Sequence, residues 1–227
     1  MKIIITGSLG HISKPLAKEL MQKGHEVTVI SSDPGKQKDI EALGAIAAIG
    51  SLEYVPFLTA TFKGADAVYT MVPPNNYFDH TLDLNAYCLR IGHNYADAIK
   101  SSGIKRVVHL SSIGAHLEKN SGIIMAHHGV YKILEKLSGV GITFMRPTSF
   151  YYNLYAYAEM IKSAGFIAAN YGGEDLIPWV SPVDIAAAIA EELEIPLVGT
   201  KVRYVASEEL TCNETAGILG AAIENLI

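Results

Sequence analysis

The sequence predicts an α/β protein in which a parallel β-sheet carries helices on both faces. Short apolar runs rich in β-branched residues alternate with stretches that carry apolar residues at helical spacing, and this alternation is typical of βαβ units. The first run, Ile3 to Ile5, breaks into a glycine-containing turn and then into an amphipathic segment. The chain has 227 residues, 49% of them hydrophobic, which is enough for one large domain with a sizeable core.

The turn after the first strand has the features of a phosphate-binding loop. Gly7, Gly10 and Ser13 are spaced G-x-x-G-x-x-S. Gly7 permits a tight turn, and Gly10 lets the main chain approach a pyrophosphate at the helix N-terminus. With Ser13 in place of a third glycine, we expect the helix and strand to pack slightly less closely. The motif predicts a Rossmann-type sheet, and an ordinary strand-to-helix turn is the alternative interpretation. The predicted cofactor contacts in this loop are Thr6, Gly7, Leu9, Gly10, His11 and Ile12.

The turn after the second predicted strand, residues 26–30, bears on the choice of cofactor. NAD sites usually end this strand with a carboxylate that accepts both ribose hydroxyls. Ser31, Ser32 and Lys36 instead offer hydroxyls and a cation that suit the 2′-phosphate of NADP(H), so NADP(H) is the preferred cofactor. Asp33 lies one or two residues late and keeps NAD(H) possible, and a solvated surface lysine is the alternative reading of Lys36.

Further elements follow in the order expected for a doubly wound sheet. The predicted strands are residues 44–50, 64–72, 104–111 and 141–146. The predicted helices between them are residues 52–62 and one long helix over residues 77–100. Along the long helix, apolar residues recur at roughly helical spacing: Phe78, Leu82, Leu89, Ala96 and Ile99. The segment 101–103 ends that helix, because glycine is the usual residue beyond a helix end.

The remainder of the chain predicts a small α/β lobe. Tyrosine-rich residues 151–157 are helical, residues 166–170 and 178–180 are short strands, and Ser181 caps a helix that runs to residue 193. A strand over residues 201–206 and a final helix over residues 212–227 complete the chain. We therefore divide it into a dinucleotide-binding core, residues 1–150, and a substrate lobe, residues 151–227, part of which returns to the core.

Composition excludes several classes of function. A formal net charge of −5, without a cluster of Lys or Arg, argues against a nucleic-acid partner. Cys88 and Cys212 are isolated, which favours reduced thiols in a cytoplasmic protein and gives no metal-ligand spacing. The first strand begins directly after Met1, which leaves no room for a signal peptide, and no apolar run reaches the roughly 18 to 20 residues of a membrane helix. We expect no metal and no membrane association.

Several segments in order resemble one known family. They are T-G-x-x-G at residues 6–10, GADAV at 64–68, GIKRVV at 103–108, LSSIGA at 110–115 and ITFMRP at 142–147. Over residues 1 to about 193 the chain resembles the NmrA-like group of atypical short-chain dehydrogenases/reductases. The resemblance implies a Rossmann core that binds NAD(P), with a small lobe over the nicotinamide. Family members normally continue beyond the last helix, so we expect a short member or a chain whose substrate lobe is truncated at the C-terminus.

The resemblance also implies a catalytic set. Typical short-chain dehydrogenases use Ser, Tyr and Lys, with Tyr and Lys spaced Y-x-x-x-K on one helix face. Ser112 matches the serine and Lys132 the lysine, which in the family also holds the cofactor ribose, whereas His128 occupies the tyrosine position. A neutral histidine can still exchange a proton near pH 7. The alternative is that His127 and His128 are ordinary polar residues at a helix start, and the spacing of neighbouring histidines gives no metal site.

The region around the nicotinamide is expected where the fourth and sixth predicted strands end. The predicted cofactor contacts there are Val72, Pro73, Pro147, Thr148 and Phe150. The tyrosines that follow are expected to line a pocket for a planar aromatic substrate by stacking, and packing of the lobe or a dimer surface is the alternative. The predicted substrate residues are Tyr151, Tyr152 and Asn153.

Two functions are consistent with these features. The first is an NAD(P)H-dependent reductase that transfers hydride to a small aromatic acceptor such as a quinone or azo compound. The second is an NAD(P)-sensing regulatory protein with little or no catalytic activity, whose partner is another protein. Ser112 and Lys132 favour the enzyme, and the absence of tyrosine at position 128 favours the sensor. A homodimer is possible in either case.

Overall fold

The computed structural model describes residues 1–75 and 82–224. Its main sheet has seven parallel strands in the order β3-β2-β1-β4-β5-β6-β9. Their bounds are β1 Lys2–Ile5, β2 Glu26–Ser31, β3 Ile46–Ile49, β4 Ala67–Thr70, β5 Arg106–Leu110, β6 Gly141–Pro147 and β9 Thr200–Val205. The strand order reverses between β1 and β4, and ligands of open α/β sheets bind outside the carboxyl ends of the strands at such a point. The predicted doubly wound sheet is therefore confirmed.

Helices cover both faces of this sheet and give it two apolar cores. They are α1 Ser13–Gln22, α2 Gln37–Ala42, α3 Val55–Phe62, α4 Leu84–Ser102, α5 Ile124–Leu134, α6 Ala158–Ala164, α7 Pro182–Glu194 and α8 Cys212–Glu224. On one face α1 and α7 bury Leu16 and Ile189 against the strands. On the other face α3, α4 and α5 bury Phe62, Tyr95 and Val130. The sheet is thus apolar on both sides, as parallel sheets require.

The lobe contains a second, smaller sheet. Its strands are β7 Ser149–Phe150, β8 Leu176–Val180 and β10 Glu208–Thr211, in the order β10-β8-β7. A 3₁₀ helix, Tyr151–Tyr157, follows β7 directly. By contrast, α7 packs on α1, and β9 pairs with β6 in the main sheet. The chain therefore leaves the lobe after β8 and re-enters it at β10.

Two predicted elements were wrong in position or type. Helix α4 begins at Leu84 and not at residue 77, because Asp83 is extended and its carboxylate accepts the N–H of Ala86 at 2.9 Å. The expected first turn with Tyr77 and Phe78 lies outside the described residues. Residues 166–170 form no strand, because the backbone N–H of Ala168 turns back onto the sulfur of Met160 at 3.2 Å. Helices α2 and α6 and strands β7 and β10 were not predicted.

A buried charge network fixes α7 and β9 to the sheet. The guanidinium of Arg106 and the carboxylate of Glu192 are 3.5 Å apart, with side chains only 7% and 2% exposed. The same carboxylate accepts hydrogen bonds from Thr143 at 3.0 Å, Lys201 at 2.7 Å and Arg203 at 3.1 Å. One carboxylate on α7 thus joins β5, β6 and β9.

Within residues 1–75 and 82–224, no helix combines the length and apolar character needed to cross a lipid bilayer.

Candidate functional site

The loop between β1 and α1 is built around two glycines. Gly7 has φ +95°, and a Cβ there would lie 2.8 Å from the hydroxyl of Ser13. Ser13 is buried and donates to the carbonyl of Thr6 at 3.1 Å, so its hydroxyl joins helix and strand by a hydrogen bond. The N–H of Gly10 donates to the carbonyl of Gly7 at 3.2 Å. The loop therefore has the tight turn that the glycine spacing predicted.

A cavity of about 270 Å³ opens at this loop. Its lining residues come from the carboxyl ends of β1, β2, β3 and β4 and from α4, and they are Gly7, Ser8, Ile30, Ser31, Ser32, Ser51, Leu52, Glu53, Met71, Pro73, Pro74, Tyr87 and Ile91. We call it the loop cavity. Sequence reasoning missed the group after β3, residues 51–53. The signal was available, because the carboxyl ends of neighbouring parallel strands share one edge of the sheet.

Other predicted residues of the loop have mainly structural side chains. Ile12 is 8% exposed and lies in the core under α1, where Leu9 packs against it. The Thr6 hydroxyl accepts the N–H of Met71 at 3.1 Å, and the Tyr95 hydroxyl donates to the carbonyl of Met71 at 2.7 Å. These bonds fix the chain after β4, where Val72 and Pro73 were expected to contact the cofactor. Val72 itself packs against the core of α3, α4 and α5.

The turn after β2 separates its hydroxyls from its carboxylate. The hydroxyl of Ser31 accepts a hydrogen bond from the Ser8 hydroxyl at 3.0 Å and another from the N–H of Asp33 at 3.2 Å. The Asp33 carboxylate accepts the N–H of Gly35 at 2.8 Å and so caps its own turn. Ser32 faces the loop cavity, and the half-exposed Lys36 lies 3.6 Å from Asp39. The geometry therefore directs hydroxyls, not the Asp33 carboxylate, toward the cavity.

Polar groups gather where β5 and β6 end. The hydroxyls of Ser111 and Thr148 are buried and have no hydrogen-bond partner among the described residues. Pro147, which precedes Thr148, is buried, and Phe150 is half-buried against the core of α1 and α7. Buried hydroxyls in proteins almost always have a partner. Two buried hydroxyls without a partner among the described residues therefore lie where the neighbouring strands β5 and β6 end.

Ser112 lies in the loop that follows β5, and His128 on α5 contacts the same loop. The Ser112 hydroxyl donates to the carbonyl of Ile113 at 3.0 Å, and Nδ1 of His128 is 3.0 Å from the carbonyl of Ala115. Because a carbonyl only accepts, this contact assigns the proton to Nδ1 and leaves the lone pair of the neutral ring on Nε2. His128 is therefore oriented by the loop that carries Ser112.

Lys132 points to the outside of α5. Its ammonium pairs with Glu135, which raises the pKa of Lys132, and lies 5.8 Å from the ring centre of Tyr131. The side chain is half exposed. Among residues 1–75 and 82–224, which the structure describes, Lys132 is not one of those that line the loop cavity. Its contact with a cofactor ribose stays a prediction that this geometry does not favour.

A buried histidine near His127 escaped the sequence analysis. His109 on β5 is fully buried, and its Nδ1 is 2.9 Å from the hydroxyl of Thr70. Burial, together with the nearby His127, lowers the pKa of His109 to about 3. Burial also lowers the pKa of His127. Both rings are therefore neutral at pH 7. A histidine inside the apolar run of β5 was the signal that could have found His109.

The structure divides the tyrosine-rich segment into two groups. Tyr151 stacks on Trp179 at 6.1 Å and donates to the carboxylate of Glu208, and burial followed by this carboxylate raises the pKa of Tyr151 to about 12. Tyr152 instead lies against His11 of the loop, with ring centres 4.0 Å apart. Asn153 is exposed. Of the predicted substrate residues, Tyr151 thus anchors the lobe and Tyr152 faces the loop.

No group of three His, Cys, Asp or Glu side chains suited to a metal ion occurs in the part of the chain that the structure describes.

Two relatives of the chain are named as reductases. The chain is 26% identical over 195 residues to NAD(P)H azoreductase of Xenophilus azovorans. The aligned region covers 86% of this chain and 64% of that protein. It is 25% identical over 192 residues to (4-alkanoyl-5-oxo-2,5-dihydrofuran-3-yl)methyl phosphate reductase of Streptomyces griseus, with 84% and 62% covered. The chain therefore spans a little under two thirds of the length of these relatives.

Solved structures share the fold. The NADPH-dependent quinone oxidoreductase of Escherichia coli, complexed with NADPH, superimposes with a TM-score of 0.80 at 23% identity, covering 97% of this chain and 75% of that one. The triphenylmethane reductase of Citrobacter sp. gives a TM-score of 0.80 at 19% identity, with the same coverage.

A family model described as NAD(P)H-binding matches residues 7–196, and this range contains the glycine loop, the loop cavity, and the ends of β4, β5 and β6. The chain belongs to the NAD(P)H-binding family.

Proposed function

We propose that this protein is an NAD(P)H-dependent reductase of the NmrA-like type that transfers hydride to a small aromatic acceptor such as a quinone or azo compound. The observation that carries the proposal is the contact between Tyr152 and His11, with ring centres 4.0 Å apart. It puts an exposed aromatic surface of the lobe against the loop that cradles the cofactor phosphates. The names of the azoreductase relative and of the quinone oxidoreductase with the same fold support this substrate class.

The residues present fit a nicotinamide dinucleotide. A Cβ at Gly7 would lie 2.8 Å from the Ser13 hydroxyl and a Cβ at Gly10 would lie 3.2 Å from the Gly7 carbonyl, so the turn itself has little room for a side chain at either position. Glycines at such a turn let the main chain approach a pyrophosphate. The loop cavity extends from there to the ends of β2 and β3, where an adenosine would lie. The unpaired hydroxyls of Ser111 and Thr148 suit the polar carboxamide at the other end.

The turn after β2 supports a preference for NADP(H). Ser31 and Ser32 line the loop cavity, and Lys36 supplies a cation on the same turn. The Asp33 carboxylate, which a ribose diol of NAD(H) would need, is engaged with Gly35. A phosphate is thus matched by hydroxyls and a lysine, and the carboxylate that lines the loop cavity, that of Glu53, is paired with Arg90 at 3.0 Å.

The chemistry divides between cofactor and protein. When bound, the dinucleotide supplies a hydride, and a quinone that takes this hydride and one proton becomes a hydroquinone. The protein holds the two ligands together, excludes water and handles the proton. Because Ala115 fixes the Nδ1 proton of His128, only Nε2 is free to exchange a proton with the substrate or a bridging water. The imidazolium form of His128 can donate from Nε2 and return to the neutral ring.

An acceptor assay tests the proposal. NADPH absorbance is followed with the protein and a panel of quinones, azo dyes and triphenylmethane dyes, with each acceptor and cofactor incubated alone as the control. A preorganised site must oxidise NADPH faster with at least one acceptor than without protein. Binding of NADPH without acceptor-dependent oxidation across the panel would refute the enzyme.

The second candidate is an NAD(P)-sensing protein. The observation in its favour is Lys132, whose ammonium pairs with Glu135 on the outside of α5, together with the histidine at position 128. A sensor would bind the dinucleotide, leave acceptors unreduced and adopt different conformations with the oxidised and reduced cofactor. The acceptor assay therefore separates the two candidates.

A further inference from the structure

We infer that the rings of His11, Tyr152 and Tyr155 form one ring stack through which the dinucleotide and a planar aromatic acceptor strengthen each other's binding. The acceptor lies in the corner between Tyr152 and Tyr155, and the His11 end of the stack rests on the phosphate loop. This inference rests on the proposed function, because it names how the same site holds its substrate.

The ring stack runs from the loop to the surface of the lobe. The centres of the His11 and Tyr152 rings are 4.0 Å apart at an interplanar angle of 38°, and those of Tyr152 and Tyr155 are 5.6 Å apart at 64°. Both separations lie within or close to the range in which aromatic rings attract one another. The three rings therefore form a continuous path between two separate elements of the fold.

The 3₁₀ geometry explains why these two tyrosines act together. A 3₁₀ helix has three residues per turn, so side chains at i and i+3 lie on the same side. Tyr152 and Tyr155 are three apart in such a helix, and Tyr151 points elsewhere, onto Trp179 and Glu208 of the lobe sheet. Tyr151 thus anchors the segment, and the other two rings are presented together.

The outer end of the ring stack is open. Tyr152 is 48% and Tyr155 76% exposed. Two exposed rings at 64° make a corner in which a planar ring can stack on one tyrosine and meet the edge of the other, the two arrangements that aromatic pairs prefer. A planar, uncharged aromatic compound is the ligand that this corner fits.

The inner end of the ring stack meets the cofactor loop. His11 follows Gly10 and comes two residues before the start of α1 at Ser13, where main-chain N–H groups hold a pyrophosphate. A bound pyrophosphate fixes this loop and with it the imidazole on which Tyr152 rests. The loop and the His11 ring then have less conformational freedom to lose when the acceptor binds, so the acceptor binds more tightly. By linkage, the acceptor strengthens cofactor binding by the same factor.

The test uses NADP⁺, which has no hydride to transfer, so that binding is measured without turnover. Calorimetry gives the dissociation constant of NADP⁺ with and without saturating menadione, a planar quinone. We expect menadione to tighten NADP⁺ binding about fivefold or more. His11→Ala and Tyr152→Ala should each reduce this factor below about twofold, whereas His11→Phe, which keeps a ring, should retain it.

Two further variants locate the acceptor. Tyr155→Ala should weaken menadione binding but leave the dissociation constant of NADP⁺ alone unchanged. Tyr171→Ala removes a lobe tyrosine that is 55% exposed and lies outside the ring stack, so it should change neither constant. In the unliganded protein, the NMR signal of the His11 Cε1 proton should shift in Tyr152→Ala, because the ring current of Tyr152 is lost, and stay in place in Tyr171→Ala.

The outcomes separate this inference from the proposed function. Equal NADP⁺ affinity with and without menadione overturns the ring stack, even if acceptors oxidise NADPH. So does an undiminished effect of menadione on NADP⁺ affinity in both His11→Ala and Tyr152→Ala. A factor that depends on His11 and Tyr152 supports it even if no acceptor is reduced, in which case the proposed reductase fails and coupled binding remains.

Discussion

The substitution Glu192→Gln tests how the sheet holds the part of the chain that leads back into the lobe. The Glu192 carboxylate is 2% exposed and lies 3.5 Å from the equally buried guanidinium of Arg106. Glutamine keeps the size of the side chain and, with its oxygen toward Thr143, that hydrogen bond. It removes the charge and turns its NH2 group toward the donors of Lys201 and Arg203. Arg106 then remains as a buried cation without a counter-charge.

The cost follows from the partners that remain. Losing one member of a buried ion pair destabilises a protein by about 3 to 5 kcal/mol. The Arg106 guanidinium also donates to the carbonyls of Val107, Gly141 and Ile195. Because these bonds survive, we expect the lower end, a loss of about 3 kcal/mol in the free energy of unfolding. For a chain of this length that is a fall in Tm of roughly 6 to 12 °C.

Urea unfolding followed by the fluorescence of the single tryptophan, Trp179, measures this loss. The matched control is Glu191→Gln at the next position, whose side chain is 57% exposed and pairs with Arg203. An exposed pair contributes about 1 kcal/mol or less. Equal losses in the two variants, or a loss below about 1 kcal/mol in Glu192→Gln, would refute the reasoning that burial sets the cost.

The loss of stability in Glu192→Gln should also depend on pH. Burial by itself would raise the pKa of Glu192, but hydrogen bonds from Lys201, Thr143 and Arg203 outweigh it and hold the pKa below its usual range. The folded pKa is thus below the unfolded value of about 4.3. The stabilisation is present above that pH and is lost as pH falls through the folded pKa. The difference between wild type and Glu192→Gln should therefore shrink below about pH 4, and a constant difference would contradict it.

Three other predictions concern the cofactor and the proton. Lys36→Ala should weaken NADPH binding about tenfold, the loss of one charge-assisted bond, and leave NADH binding unchanged in calorimetry. Lys38→Ala on the same surface should change the affinity for neither cofactor. Equal losses of affinity for both cofactors in Lys36→Ala would remove Lys36 from the phosphate site. Gly10→Val should abolish dinucleotide binding but keep the circular dichroism spectrum. A Cβ at this position lies 3.2 Å from the Gly7 carbonyl, and the valine side chain adds bulk where the pyrophosphate approaches. NADPH binding at wild-type affinity would contradict this. His128→Ala should lower turnover about a hundredfold at unchanged cofactor affinity, and unchanged turnover would make His128 a structural residue.

The sequence by itself determined the features that depend on short-range geometry. The run from Ile3 to Ser13 gives a strand, a tight turn and a helix, because β-branched residues, glycine and helical spacing each restrict the backbone locally. The cap at Ser181 is likewise local, since its hydroxyl accepts the N–H of Val183 at 3.1 Å. Dinucleotide binding followed from the same local motif in its βαβ context.

Tertiary structure decided which side chains face the site, since that depends on residues far apart in the chain. Tyr151 is held by Glu208, 57 positions away, and Tyr152 is held by His11, so two adjacent tyrosines have different roles. The carboxylate of Asp33 turns to Gly35, although its position in the sequence allowed it to face a ribose. Side-chain direction is set by packing and by partners that only the folded chain brings together, and neither spacing nor composition contains that information.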